Sequence, residues 1–148
     1  VNTTSVLRII KHFYGSIHSR KPFYTAVMVS IAGFMSSPFF SVYGASKAAL
    51  KIFIESVNVE LKKSGTDNRI LNVSPGRING TNFYNGANNL SLLYPLADEI
   101  IYHMNNRNDL FIPEYEEVFK KVLERYHRDF RAEGEHSYEY KQEQLKRK

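Results

Sequence analysis

The chain has 148 residues, 43% hydrophobic and 24% charged, with 20 Lys and Arg against 15 Asp and Glu for a net charge of +5. That length and balance suit a single globular domain with a real core, and exclude a disordered or fibrous chain. With no cysteine, disulfides and thiolate metal or redox sites are excluded, which fits a reducing, cytoplasmic setting.

No apolar run approaches the roughly 18 residues that cross a bilayer, so no membrane span is expected. Part of the basic excess sits in the closing "KQEQLKRK", and the other Lys and Arg residues are scattered rather than interleaved with aromatics. A nucleic-acid partner is therefore not expected. His12, His18, His103, His127 and His136 show no metal-ligand spacing. The chain begins at Val1 and enters a helical pattern at once, which reads as the later portion of a longer protein.

From Thr3 to about Ser19, the residues Val6, Ile9, Ile10, Phe13 and Ile17 recur at helical spacing, with Asn2, Thr3 and Thr4 as candidate caps. "FYTAVMVS" is β-branched and apolar on both faces, the pattern of a strand buried in a parallel sheet. A small-residue and aromatic loop, "IAGFMSSPFF", leads to a helix over about Ser41 to Lys63, with Leu50, Phe53, Ile54, Val57 and Leu61 on one face and Gly65 as its stop. "RILNVSP" is a second buried strand, and "GRINGTNFYNGANN" a loop. A helix from about Leu90 to Asn105, a short strand "DLFIP" and a helix from about Glu114 to Arg131 follow. From Glu133 on the chain reads as a polar surface tail. Helices alternating with strands call for a parallel sheet covered on both faces, a three-layer sandwich within one domain over residues 1–148.

Tyr43 and Lys47 stand four residues apart in "SVYGASKAAL". On a helix that spacing places both on one face, where an ammonium favours a tyrosinate and so readies the phenol for proton transfer. The pair is not informative alone: ten tyrosines and eleven lysines make about one such pair the chance expectation. Ser30 closes the strand "AVMVS", at the sheet edge where ligands of open α/β sheets bind. Pro75 and Gly76 end the next strand at the same edge and permit a sharp turn. Each of these has an ordinary structural reading as well, a helix surface, a strand end or a turn.

Taken together, "SIAGF", "YGASKAAL" and "NRILNVSPGRING" resemble the short-chain dehydrogenase/reductase family. Its serine stands thirteen residues ahead of the tyrosine of a Tyr-x-x-x-Lys motif, as Ser30 does here, and Pro-Gly follows the next strand. The resemblance covers about residues 1 to 112. It implies a partial Rossmann-like α/β/α sandwich, with the N-terminal strands of the family fold absent, and hydride transfer between NAD or NADP and a small-molecule alcohol or carbonyl. Tyr43 resembles the catalytic acid/base, and Lys47 the lysine that tunes it and holds the nicotinamide ribose. Ser30 resembles the serine that binds the carbonyl oxygen. Asn2 resembles the asparagine that positions a relay water, with helix capping as its alternative. Pro75, Gly76 and Ile78 resemble the turn around the carboxamide.

Two departures stand out. The family often has threonine where Gly80 stands, and the nearest hydroxyl here is Thr81, one residue late. The Gly-rich phosphate loop has no counterpart, so the residues that grip adenosine and select NAD or NADP are not in this sequence. The resemblance also implies a homodimer or homotetramer through the helices starting near Asn2 and Ser41; a fragment keeping only those helices would be a non-catalytic interaction module. Phe83 and Tyr84 are candidate anchors of the substrate loop.

Overall fold

The computed structural model describes residues 2–82 and 88–146, the side chains of residues 144 and 145 excepted. Three strands, β1 (Thr25–Met28), β2 (Ile70–Val73) and β3 (Leu110–Phe111), form a parallel sheet in the order β1-β2-β3. Thr25 pairs with Ile70 and Met28 with Val73, while Asn72 pairs with Leu110. Helices α1 (Thr4–His18) and α2 (Ser41–Ser64) cover one face, and α3 (Tyr94–Asn105) covers the other. This is the partial Rossmann-like sandwich expected from the sequence.

The main core lies between α1, α2 and the sheet. Leu50, Ile54 and Leu61 of α2 are fully buried with Ile10 and Ile17 of α1, against Val27, Val29 and Ile70. Each such side chain contributes about 1.5–3 kcal/mol through removal from water. On the opposite face Leu71, Val73 and Phe111 meet Leu96, Ile100 and Met104 of α3. Asn68 joins α1 to the sheet, its amide donating to the carbonyls of Ile17, Ser19 and Lys21 while its oxygen accepts from the Phe23 N–H.

Four expectations are corrected. β2 is buried on both faces, but β1 is not: Val27 faces the core while Ala26 and Met28 are exposed on the side that α3 leaves open. On α1, Ile9 and Phe13 do not join Ile10 and Ile17 but remain exposed. The final helix is broken, with a π-helical turn (Tyr115–Phe119), α4 (Lys120–Arg128) and a bend at Asp129, whose backbone is extended. The Asp129 carboxylate accepts from the N–H groups of Arg131 and Ala132, which starts a new helix. That helix, α5 (Phe130–Lys146), replaces the tail expected from residue 133 onward. Among the described residues no helix is long and apolar enough to cross a membrane.

Candidate active site

The ends of β1 and β2 are tied together, which fixes the edge where the site would lie. The Val29 N–H donates to the Val73 carbonyl at 2.7 Å, and the Ile31 N–H donates to the Pro75 carbonyl at 3.0 Å. In a parallel strand alternate residues bond to opposite sides, so the Met28 carbonyl points away from β2. There it accepts from the Lys47 ammonium at 2.9 Å. Lys47 is half-buried, and burial lowers the pKa of its ammonium below the usual lysine value.

Tyr43 lies one turn before Lys47 on α2, and the Lys47 Nζ is 5.7 Å from the centre of its ring. The two residues share a face, as their spacing requires. Ser30 follows β1 and is almost fully buried; its hydroxyl oxygen accepts from the Ala32 N–H at 3.2 Å and its carbonyl from the Gly33 N–H at 2.9 Å. A hydroxyl that accepts one bond keeps its proton to donate.

The 3₁₀ turn Ile31–Gly33 seats directly on α2. A Cβ on Gly33 would stand 2.8 Å from the Lys47 carbonyl carbon, and one on Gly44 would stand 3.1 Å from the Ala32 carbonyl oxygen. Small residues on both sides therefore bring the segment after Ser30 against the turn of α2 that carries Tyr43 and Lys47. Nothing in the local sequence pattern around Gly33 marks this contact.

Asn2 lies with Thr3, Thr4, Val42, Tyr43 and Ser46 around a cleft of about 370 Å³. The Thr3 side chain makes no capping bond to α1; its hydroxyl donates instead to the Ser46 carbonyl at 3.1 Å, tying the start of α1 to the Tyr43 turn. A separate cavity of about 430 Å³, lined by Phe34, His103, Phe111, Ile112, Tyr115 and Leu123, contains none of the candidate residues. It is larger than the cleft beside α1, which among the candidate residues Asn2 and Tyr43 line.

Pro75 is buried and Gly76 carries the ring of Phe119 against it, so that a Cβ there would collide with the ring edge. Ile78 accepts from the Thr81 hydroxyl at 3.0 Å through its carbonyl. Gly80 has φ +82°, a conformation that strongly favours glycine, and its carbonyl accepts from the Asn89 N–H. A threonine would be strained at position 80. Phe83 and Tyr84 lie outside the described residues.

This donor set suits the nicotinamide end of a dinucleotide. The Lys47 ammonium carries three N–H donors and Met28 engages one, and the Pro75–Gly76 turn brings backbone to the same edge.

A family model of short chain dehydrogenases matches residues 1–89, more than half of the chain. The chain belongs to the short chain dehydrogenase family. An uncharacterized oxidoreductase of Saccharomyces cerevisiae, TDA5, is 38% identical over 80 residues, which make up 53% of this chain and 24% of that protein. The apo form of LigD from Sphingobium sp. strain SYK-6 superposes with a TM-score of 0.68 at 25% identity, over 86% of this chain and 49% of that one. The bulky-bulky ketone specific alcohol dehydrogenase from Comamonas testosteroni shares the fold, with a TM-score of 0.60 at 19% identity over 88% of this chain and 51% of its own. This short chain dehydrogenase sequence thus spans about a quarter of the curated relative and about half of each structural neighbour.

Proposed function

We propose that the chain is the catalytic half of an NAD(P)-dependent oxidoreductase acting on the alcohol/carbonyl pair of a small molecule. The observation that carries this reading is the bond from Lys47 to the Met28 carbonyl, because it draws the Tyr43 turn of α2 to the strand end that leads into Ser30. Bound nicotinamide supplies the hydride in reduction and takes it up in oxidation. Tyr43 gives its phenolic proton to the substrate oxygen as the carbonyl is reduced, and takes that proton back in the reverse direction. Lys47 places positive charge beside the oxygen on which phenolate develops and offers its other N–H groups to ribose hydroxyls. Ser30 donates its hydroxyl proton to the carbonyl oxygen, where negative charge builds. Asn2 holds a water that resupplies Tyr43 across the shared cleft.

Pro75, Gly76 and Ile78 hold the carboxamide through backbone groups. The Thr81 hydroxyl, already donating to Ile78, adds an acceptor for the carboxamide N–H. The test is turnover of NADH and of NADPH by the full-length protein over a panel of aldehydes and ketones. Oxidation of either nucleotide that depends on the carbonyl supports the reading, and preference for one identifies the cofactor. No turnover with any pair would overturn it.

A homodimer is part of the same proposal. Val42, Ala45, Ala49, Ile52, Ser56 and Val59 form an exposed stripe along α2 at three- and four-residue spacing, and Ile9 and Phe13 are exposed on α1. Small and β-branched residues in such a row suit close packing of α1 and α2 against a second copy.

A further inference from the structure

Between Ser30 and Tyr43 the chain runs through Ser36, Ser37, Pro38, Phe39 and Phe40, a loop that abuts the Tyr43 turn of α2: the Gly44 N–H donates to the Phe40 carbonyl at 2.8 Å, and a Cβ on Gly44 would stand 3.6 Å from that of Ser37. Within this loop, Phe40 donates to the Ser37 carbonyl at 3.0 Å. Phe39 has φ +68°, a left-handed conformation that costs energy for an aromatic residue and persists only where its surroundings enforce it.

The surroundings are supplied by α5, which lies outside the matched residues 1–89. Its contacts come from Gly134, Tyr138 and Lys141, spaced as one helix face. A Cβ on Gly134 would stand 3.2 Å from the Ser36 hydroxyl. The Tyr138 ring stacks on Phe39 with centres 4.8 Å apart. The Lys141 ammonium donates to the Ser37 hydroxyl at 2.9 Å and to the Pro38 carbonyl at 3.2 Å, and lies 5.4 Å from the centre of the Phe40 ring. Every loop residue from Ser36 to Phe40 thus meets α5.

The helix is itself anchored. Arg125 of α4 grips the Glu133 carboxylate with two bonds, 2.6 and 3.1 Å long, and Glu133 is almost fully buried. Paired charge of this geometry is directional and holds one helix at a set angle to the other. Both acceptors of Lys141 are neutral oxygens, and burial lowers its pKa; the bonds serve geometry rather than charge neutralisation.

We propose that α5 is a clamp on the loop between Ser30 and Tyr43, and that Lys141 is a positioning residue that sets the shape of the carbonyl side of the pocket. It acts on affinity and selectivity for the carbonyl compound and leaves nucleotide binding alone. This inference builds on the oxidoreductase reading, but the clamp has a readout of its own.

The experiment uses the full-length protein, with Lys141→Met, which keeps the apolar stem and removes the donors, Lys141→Arg, which restores donors, and Tyr138→Ala. Amide hydrogen exchange is followed at Ser37, Phe39 and Phe40, with β2 as the internal reference. Exchange there is expected to rise about tenfold in Lys141→Met and Tyr138→Ala, and to return toward wild type in Lys141→Arg, as loss of charged hydrogen bonds implies. With an active carbonyl, the KM for that compound is expected to rise by about tenfold in Lys141→Met while the KM for the nucleotide stays unchanged. Loop exchange unchanged in both Lys141→Met and Tyr138→Ala overturns the clamp, as does a rise in nucleotide KM parallel to that of the carbonyl. If the wild-type protein turns over no carbonyl, the oxidoreductase reading fails, and the exchange comparison still decides whether α5 holds the loop.

Discussion

The Lys47 ammonium donates to the Met28 carbonyl at 2.9 Å, joining the second turn of α2 to the last residue of β1. Ser30 follows Met28 by two residues and Tyr43 precedes Lys47 by one turn, so this bond spans the elements that carry both oxygen-bearing side chains. A half-buried ammonium is more sensitive to its surroundings than a surface lysine, and that sensitivity is measurable.

Lys47 is expected to titrate below 10.5, the ordinary lysine value, because burial disfavours its charged form. With the folded value below the unfolded one, the unfolded chain binds more protons between the two. Stability should therefore rise with pH through that window and level off above about 10.5, and Lys47→Met should remove this component. NMR of the Lys47 side-chain carbons against pH checks it; titration at or above 10.5 would count against the burial argument.

Gly33→Ala should destabilise the protein by about 1–3 kcal/mol, the usual cost of overpacking. Its Cβ would stand 2.8 Å from the Lys47 carbonyl carbon and 2.9 Å from the Ala48 nitrogen, backbone atoms that cannot rotate aside. The turn must lift off α2, and the segment after Ser30 lifts with it. Denaturant titration measures the cost; a variant within about 0.5 kcal/mol of wild type would show that this contact is loose.

Gly76→Ala should cost less than Gly33→Ala. The atoms it meets belong to the end of the Phe119 ring, which can swing, with Cε2 at 3.1 Å. Much of the cost should vanish in a Phe119→Leu background, giving a coupling of about 0.5–3 kcal/mol in a double-mutant cycle. Additive effects would mean that the ring does not constrain the turn.

Ile52→Glu should dissociate the proposed dimer while leaving the folded monomer intact, since Ile52 is 58% exposed within one chain. An unpaired carboxylate in a helix-to-helix interface should weaken association by about a hundredfold or more. Sedimentation at several concentrations gives the answer, and an unaltered oligomer would place the interface elsewhere.

What the sequence made legible was local or periodic. The helical spacing of Leu50, Ile54, Val57 and Leu61 located α2 and its buried face, and the apolar run before Pro75 located β2. The order of Ser30, Tyr43, Lys47 and Pro75–Gly76 was visible because each feature sits at a fixed offset from a strand or helix end. Other features depend on contacts far apart in the chain. Tyr138 and Lys141 make a polar segment helical by docking on Phe39 and Ser37, about a hundred residues earlier, and no periodicity announces that. Met28 reads as a core residue, yet it is 45% exposed. The positive φ of Gly80, which disfavours a threonine there, is likewise not revealed by spacing.

The most direct test of the catalytic reading is Tyr43→Phe in the full-length protein, with carbonyl-dependent oxidation of NADH or NADPH as the assay. Removing one hydroxyl and nothing else, it should lower kcat by about a hundredfold or more, as loss of a general acid does, while nucleotide affinity and unfolding midpoint stay near wild type. A Tyr43→Phe protein that reduces carbonyls at the wild-type rate would contradict the role assigned to this phenol.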